Sequence, residues 1–200
     1  MSKLNNLLVQ ILILASIIIL FSFFKKINKN EAVYVKSDLN NKKYFVQNND
    51  EKYNCAYILS IIDIKITTLK KYLSENIDKY PDFAIYIKQF CSRVNRLVLY
   101  ENKSGSKYTS YTINKGEEMV LCLRSKTTGN LHDVNLITYV VLHELSHIAC
   151  PELNHTNLFK RIFKFFIEIV VKINIYKNIN YAEEPMEYCG MTINENLVKN

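Results

Sequence analysis

The pentapeptide His143-Glu144-Leu145-Ser146-His147 restricts the fold of this chain more than any other feature. It matches the pattern H-E-x-x-H, whose two histidines share a face only in a helix, because residues four apart are neighbours on an α-helix. Residues 135–149 carry apolar side chains at helical spacing, and Asp133 or Asn135 is a suitable N-cap. The domain must therefore bury one side of this helix and leave the histidine side open to a site.

The same pattern is typical of metal-dependent hydrolysis. Neutral imidazole is a good zinc ligand, so His143 and His147 are predicted to bind one Zn²⁺ ion. The Glu144 carboxylate can take a proton from a water molecule that attacks a carbonyl and then pass it to the leaving amine. We therefore predict a zinc metallopeptidase, an endopeptidase acting on protein or peptide substrates, with Glu144 as the catalytic base and acid. Two histidines on an ordinary surface helix are the alternative.

A catalytic zinc ion needs a third protein ligand, and two residues are candidates. Glu168 belongs to a stripe of charged residues at helical spacing, which is typical of a solvated helix face. His155 follows a break at Pro151, where a short loop can return to the helix of the motif. We therefore predict His155 as the third zinc ligand, with a surface histidine near a helix end as the alternative. His132 is interpreted as structural or incidental.

The remaining sequence predicts an α+β domain. Apolar residues recur at helical spacing at about 57–74, 81–94 and 156–176. Short segments rich in β-branched and aromatic residues alternate with turn-like residues, which is typical of strands. We expect a short strand pair at 32–37 and 43–47. Three further strands are expected at 96–100, 107–113 and 118–124, and we expect these to form a small antiparallel sheet.

Residues 7–24 form an uncharged apolar run. As a helix it would be about 27 Å long, close to the thickness of a bilayer's hydrocarbon core. Lys25 and Lys26 follow the run where a signal peptide would carry a small-residue cleavage site, which favours a transmembrane helix. We therefore predict a membrane anchor at residues 1–30 and a zinc metallopeptidase-like domain at residues 31–200.

Three features indicate that the domain lies in the cytosol or an equivalent reducing space. Lysines are more frequent after the apolar run than before it, which places the following domain on the cytoplasmic side. The sequon Asn154-His155-Thr156 would attach a glycan at the predicted zinc site of a lumenal enzyme. The five cysteines lack a C-x-x-C spacing and are interpreted as free thiols in a reducing compartment.

The formal net charge of +7 is in part due to lysines of the N-terminal segment. The charge of the remaining chain is too small to predict nucleic-acid binding. The sequence predicts no particular oligomeric state.

The motif and the segment Asn154-His155-Thr-Asn-Leu-Phe159 together resemble the small zincins of the SprT-like and WLM (Wss1-like) group. In that group H-E-L-x-H is followed by Gly-His and, a few residues later, by Phe. The resemblance implies a zincin-like fold, with His143, His147 and His155 as zinc ligands and Glu144 as the base. The chain differs by having Asn154 in place of the glycine, and it lacks the cysteine zinc ribbon of many SprT-like proteins.

A longer resemblance, over about residues 32–195, is to uncharacterised, predicted metallopeptidases of large DNA viruses. It is carried by Asn114-Lys-Gly116, Val120-Leu-Cys-Leu-Arg124, the helix of the motif and Tyr188-Cys-Gly-Met191. This resemblance implies a membrane protein of the virion or the virus factory, with its domain in the cytosol or the virion interior. It leaves the substrate undefined.

Substrate contacts are also expected. In minimal zincins the strand before the active helix commonly pairs with an extended substrate, and Met119–Arg124 would be that strand unless it lies inside the sheet. Tyr188 or Tyr181 is a candidate to stabilise the oxyanion. Two rival functions stay open: a non-enzymatic virion membrane or assembly protein with a structural zinc site, and a protease of DNA-bound proteins of the SprT/Wss1 type.

Overall fold

The computed structural model describes residue 10, residues 13–19 and residues 31–195 of the chain. Its strands and helices occur in separate groups along the chain, in agreement with the α+β prediction. In chain order they are β1 (Ala32–Lys36), β2 (Lys43–Gln47), α1 (Lys52–Glu75), α2 (Ala84–Arg93), β3 (Val98–Glu101), β4 (Tyr111–Ile113), β5 (Glu118–Leu121), α3 (Val134–Ala149), α4 (Asn157–Lys172), β6 (Met186–Tyr188) and β7 (Met191–Ile193).

The main sheet has the strand order β1-β2-β3-β5-β4 and is mixed, so the prediction of an antiparallel sheet is wrong in part. The pairs β1–β2 and β4–β5 are antiparallel hairpins, whereas β3 is parallel to both β2 and β5. A parallel pair needs a long crossover, and helices α1 and α2 supply it between β2 and β3. The strand β5 lies inside the sheet, and the edge strand beside it is β4.

Helix α3, which carries the H-E-x-x-H motif, lies in the centre of the domain. Its apolar side is buried and includes Ile137, Val141, Leu145 and Ile148. Helices α2 and α4 pack against it, and α4 contributes a face of buried phenylalanines and aliphatic residues. Most residues of α3 are buried, whereas His143 and His147 are partly exposed and remain open to a site.

The turn between β4 and β5 is pressed against the C-terminal end of α3. Gly116 has a φ of +113°, and a Cβ atom at this position would lie 3.1 Å from Cγ2 of Ile148. A side chain here would meet both a strained backbone and a neighbouring core residue, so glycine allows the close approach. This contact fixes the position of the edge strand β4 next to the motif helix.

The cysteines differ from the prediction of free thiols. Cys122, just after β5, forms a disulfide with Cys189, in the turn of the β6–β7 hairpin. The two residues are separated by 67 positions and have no short spacing that would indicate their pairing. Cys55, Cys91 and Cys150 are free.

The prediction of a single-pass membrane protein is wrong. In the part of the chain that the structure describes, no helix has the length and apolar character needed to cross a membrane. A spanning helix needs about 20 apolar residues, and the described helical stretch at 13–19 is much shorter. Residues 7–9, 11–12 and 20–24 of the predicted segment lie outside the described residues.

Candidate metal centre

Helix α3 holds His143 and His147 in place through firm contacts at both of its ends. At the N-terminus the Asp133 carboxylate accepts hydrogen bonds from the backbone N–H groups of Asn135 and Leu136. At the C-terminus Arg93 donates a hydrogen bond of 2.6 Å to the carbonyl oxygen of Ile148. Such contacts satisfy the polar groups that every helix end leaves free. The turn with both histidines is therefore part of a well-supported helix.

A tight loop follows the end of α3 and reverses the direction of the chain. It brings His155 next to the face of α3 that carries His143 and His147. Asn154 has a φ of +65°, a left-handed conformation that asparagine adopts more readily than most residues. Glycine is the other residue type that commonly adopts this conformation. Thr156 then caps α4, because its hydroxyl accepts a hydrogen bond from the N–H of Phe159.

The loop brings the three predicted ligands together. The Nε2 atom of His147 lies 3.2 Å from that of His143 and 3.2 Å from that of His155. The Nε2 atoms of His155 and His143 are 2.9 Å apart. A neutral imidazole carries one N–H, so three ring nitrogens that face each other at these distances are not satisfied by mutual hydrogen bonds alone.

The arrangement fits a zinc ion. Nitrogen ligands about 2.0–2.1 Å from a tetrahedral ion lie about 3.3 Å from each other, close to the separations between the three Nε2 atoms. Burial and the neighbouring histidines lower the pKa of His143 to about 3. Burial and His155 lower the pKa of His147 to about 4. Both rings are therefore neutral at physiological pH, as metal ligands must be.

The Glu144 carboxyl group is buried beside the histidines. Burial raises its pKa to about 7, although hydrogen bonds from Thr112 work against this shift. The Thr112 hydroxyl lies 3.4 Å from Oε2 of Glu144. In the metal-free chain both protonation states of Glu144 are populated near neutral pH, and a cation nearby would favour the ionised state. Such a group can both accept and return a proton.

Phe159 of α4 supports all three histidine rings. Its ring centroid lies 4.2 Å from that of His147 in a stacked geometry, and 4.9 Å from those of His143 and His155. An aromatic wall of this kind limits the rotation of the imidazoles and excludes water from one side. In the sequence, Phe159 was noted only through the family resemblance, and Thr112 gave no signal at all.

The histidines and Glu144 line a cleft of about 750 Å³. One wall comes from the edge strand region, one from α4, and one from the β6–β7 hairpin. The main lining residues outside α3 are Thr109, Ser110, Tyr111, Thr112, His155, Phe159, Phe163, Tyr188, Met191, Thr192 and Ile193. The strand predicted to pair with substrate, Met119–Arg124, is not at the edge; β4 is the strand that borders the cleft.

The other residues considered from the sequence lie at different places. Tyr188 lines the cleft, and its hydroxyl donates a hydrogen bond of 2.8 Å to the carbonyl oxygen of Cys122. Tyr181 is fully buried and packs on Tyr139 with ring centroids 4.8 Å apart. Glu168 is half exposed and lies 3.8 Å from Lys164, as expected for a solvated helix face.

Comparison with known proteins identifies viral relatives. The chain is 52% identical over 193 residues to Uncharacterized protein R325 of Acanthamoeba polyphaga mimivirus, which covers 96% of this chain and 98% of R325. It is 37% identical over 84 residues to Uncharacterized protein 136R of Invertebrate iridescent virus 6, covering 41% of this chain and 47% of that protein. The predicted resemblance to proteins of large DNA viruses is confirmed.

No protein-family model matches the chain. Among solved structures, it is similar to Wss1 from Saccharomyces cerevisiae, with a TM-score of 0.47 and 18% sequence identity over 64% of this chain and 89% of that chain. The assignment to the SprT-like and WLM group stays a prediction.

Proposed function

The chain belongs to the same protein family as R325 of Acanthamoeba polyphaga mimivirus, and we propose that it acts as a zinc-dependent endopeptidase. The observation that carries this proposal is the convergence of three histidine Nε2 atoms, 2.9–3.2 Å apart, next to a buried carboxylate in an open cleft. A purely structural zinc site closes around four ligands and has no use for such a carboxylate. The set of groups is that of a hydrolytic centre.

His143, His147 and His155 would hold the zinc ion. Bound zinc supplies Lewis acidity, which polarises carbonyl groups and lowers the pKa of water. Glu144 accepts a proton from the attacking water on one of its carboxylate oxygens and donates that proton to the nitrogen of the leaving amine. Thr112 keeps this carboxylate in position, and Phe159 keeps the histidine rings in position.

The edge strand β4 is suited to bind an extended peptide. In the described sheet it pairs with β5 on one side only. Its free edge offers backbone N–H and C=O groups, and Thr109 to Thr112 line the cleft. A peptide that adds to this edge would run past Glu144 and the histidines, with main-chain hydrogen bonds giving affinity independent of sequence. This geometry favours cleavage within unfolded or extended segments.

Tyr188 is proposed as the donor that stabilises the oxyanion. Burial and the charge of Glu144 raise the pKa of its phenol, so the hydroxyl keeps its proton. In the described structure this proton is donated to the carbonyl oxygen of Cys122, so donation to an oxyanion requires the hydroxyl to leave that hydrogen bond. We expect Tyr188→Phe to lower kcat by about 10²-fold, in line with the loss of one oxyanion donor, and to leave KM nearly unchanged. Steady-state kinetics on one peptide checks this; an unchanged kcat would exclude Tyr188 from the role.

The zinc content of the full chain tests the ligand assignment. We expect one tightly bound zinc ion at the three histidines, and we expect His155→Ala to lose most of this zinc together with peptide cleavage. The change removes one of three ligands while the fold retains its core, since His155 lies on an exposed loop. Metal analysis after dialysis and cleavage of a peptide library measure the two effects.

Glu152→Ala is the comparison for His155→Ala, because it truncates an exposed side chain of the same loop that does not line the cleft. Retention of zinc in His155→Ala would contradict the ligand assignment. Zinc bound by the wild-type chain without cleavage of any peptide would favour a structural site instead. Absence of zinc from the histidine site would overturn the proposed function.

A further inference from the structure

A second group of metal-ligand side chains lies away from the histidine cluster. Cys122, His132 and Cys189 are buried, and their ligand atoms lie within 4.8 Å of one another. They come from the end of β5, the segment before α3 and the turn of the β6–β7 hairpin. In the described structure the two cysteines form a disulfide.

The Nε2 atom of the His132 imidazole faces Cys189. This atom accepts a hydrogen bond of 3.2 Å from the backbone N–H of Cys189 and lies 3.5 Å from the Sγ of the same residue. A nitrogen and a sulfur that bind one tetrahedral zinc ion lie about 3.5 Å apart, given their usual bond lengths. His132 therefore already lies at the distance that a shared ion requires.

A fourth donor atom completes the group. The carbonyl oxygen of Arg124 lies 3.2 Å from Sγ of Cys122 and 3.3 Å from Sγ of Cys189. Sulfur atoms in a disulfide carry no hydrogen, so these contacts are not hydrogen bonds while the disulfide exists. Once the thiols form, the oxygen faces both of them. Two sulfurs, one nitrogen and one oxygen thus lie close together among buried residues.

We propose that Cys122, His132 and Cys189 form a second metal site, which binds a thiophilic divalent cation such as Zn²⁺ when the two cysteines are reduced. The Arg124 carbonyl oxygen completes a four-coordinate site. Two thiolates on one zinc ion lie about 3.8 Å apart. The Cα atoms of the cysteines are 6.4 Å apart, so the sulfurs reach this separation by side-chain rotation and a small shift of the hairpin.

The two states interconvert by a balanced reaction. A cellular dithiol gives two electrons and two protons to the Cys122–Cys189 disulfide and becomes a disulfide itself. Each of the new thiols then loses its proton as its sulfur binds the cation. Oxidation reverses these steps and releases the cation.

Both the disulfide and the metal-bound thiolates connect the β6–β7 hairpin to the end of β5. The hairpin supplies Tyr188, Met191, Thr192 and Ile193 to the cleft wall. In the oxidised chain the disulfide holds this wall against the end of β5, and in the reduced chain the cation does so. The pair of cysteines therefore keeps the cleft in shape in both oxidising and reducing surroundings.

The metal content of the full chain in the two redox states tests this site. Reduction with a phosphine, which unlike a thiol competes little for zinc, is expected to raise bound zinc by one equivalent over the oxidised chain. Titration of the reduced, zinc-free chain with Co²⁺ is expected to produce a thiolate-to-cobalt charge-transfer absorption. The histidine cluster contains no sulfur, so this absorption cannot come from that cluster, and it is expected whether or not the chain is a peptidase.

Two variants make the assignment specific. Cys189→Ser should lose the extra zinc equivalent and the charge-transfer absorption, while Cys150→Ser, which changes a buried free cysteine, should keep both. Equal zinc content in the two redox states of the wild-type chain, or a charge-transfer absorption that survives in Cys189→Ser, would overturn the proposal. The comparison of redox states needs no variant and decides the question even if Cys189→Ser does not fold.

Discussion

Replacement of Glu144 by glutamine is expected to lower kcat for peptide hydrolysis by about 10²–10⁴-fold, the usual contribution of a general base. Glutamine fills nearly the same volume, so the packing around this buried position is preserved. It cannot accept a proton, and both the activation of water and the protonation of the leaving amine are lost. Zinc should stay bound at the wild-type level, because Glu144 is not among the three converging ligands.

Glu168→Gln is the matched control for this experiment. It makes the same chemical change on the solvated face of α4, where Glu168 is half exposed, and it should leave kcat unchanged. Single-turnover cleavage of one peptide, with metal analysis of the same samples, measures both properties. A Glu144→Gln variant that retains wild-type kcat would rule out Glu144 as the base.

The metal-free chain is expected to lose stability in mild acid because of its buried histidines. The ordinary histidine pKa is 6.5, and in the folded chain it falls to about 3 at His143 and about 4 at His147. Below pH 6.5 the unfolded chain therefore takes up protons that the folded chain does not. Between pH 7 and pH 4 the free energy of unfolding should fall by about 3 kcal/mol because of His143. The decrease due to His147 should be smaller, because this histidine is more exposed and is partly protonated at pH 4.

Glu144 has the opposite effect. Its pKa is raised to about 7 in the folded chain, so the folded state takes up this proton first as the pH falls, and acid reduces the cost of burying the carboxyl group. The double variant His143→Gln/His147→Gln retains Glu144. The difference in the free energy of unfolding between this variant and the wild type is therefore largely free of the contribution of Glu144.

Urea unfolding with a chelator at a series of pH values measures this difference. The stability of the double variant relative to wild type should rise as the pH falls from 7 to 4 and should be constant above pH 7. A difference that does not depend on pH would show that the histidines titrate normally in the folded chain. It would also show that they are not held as neutral ligands.

The helix of the H-E-x-x-H motif was predictable because the residues that define it are close together in the sequence. The spacing of His143, Glu144 and His147 has a meaning only in a helix, and the flanking apolar residues and Asp133 confirm one. His155 could be proposed because the loop after Pro151 is short enough to limit where the chain goes. The left-handed Asn154 that makes this return possible is visible only in the structure.

Pairings between distant segments were not predictable in the same way. The strands were expected in nearly the right places, yet the direction of β3 and the edge position of β4 depend on how two hairpins and a helical crossover assemble. For the same reason the sequence indicated the wrong strand for substrate pairing. The Cys122–Cys189 disulfide joins residues that are 67 positions apart, and no short spacing between cysteines indicates this pairing.

The sequence alone determined the chemical groups of the candidate centre and the helix that presents two of the ligands, because side-chain chemistry and helical periodicity act over a few residues. The tertiary structure decided which surfaces surround that centre. Thr112 on the edge strand, Phe159 on α4 and the hairpin with Tyr188 reach the cleft from separate parts of the chain. Such neighbours are selected by packing of the whole core, since burial depends on three-dimensional shape and leaves little trace in sequence spacing.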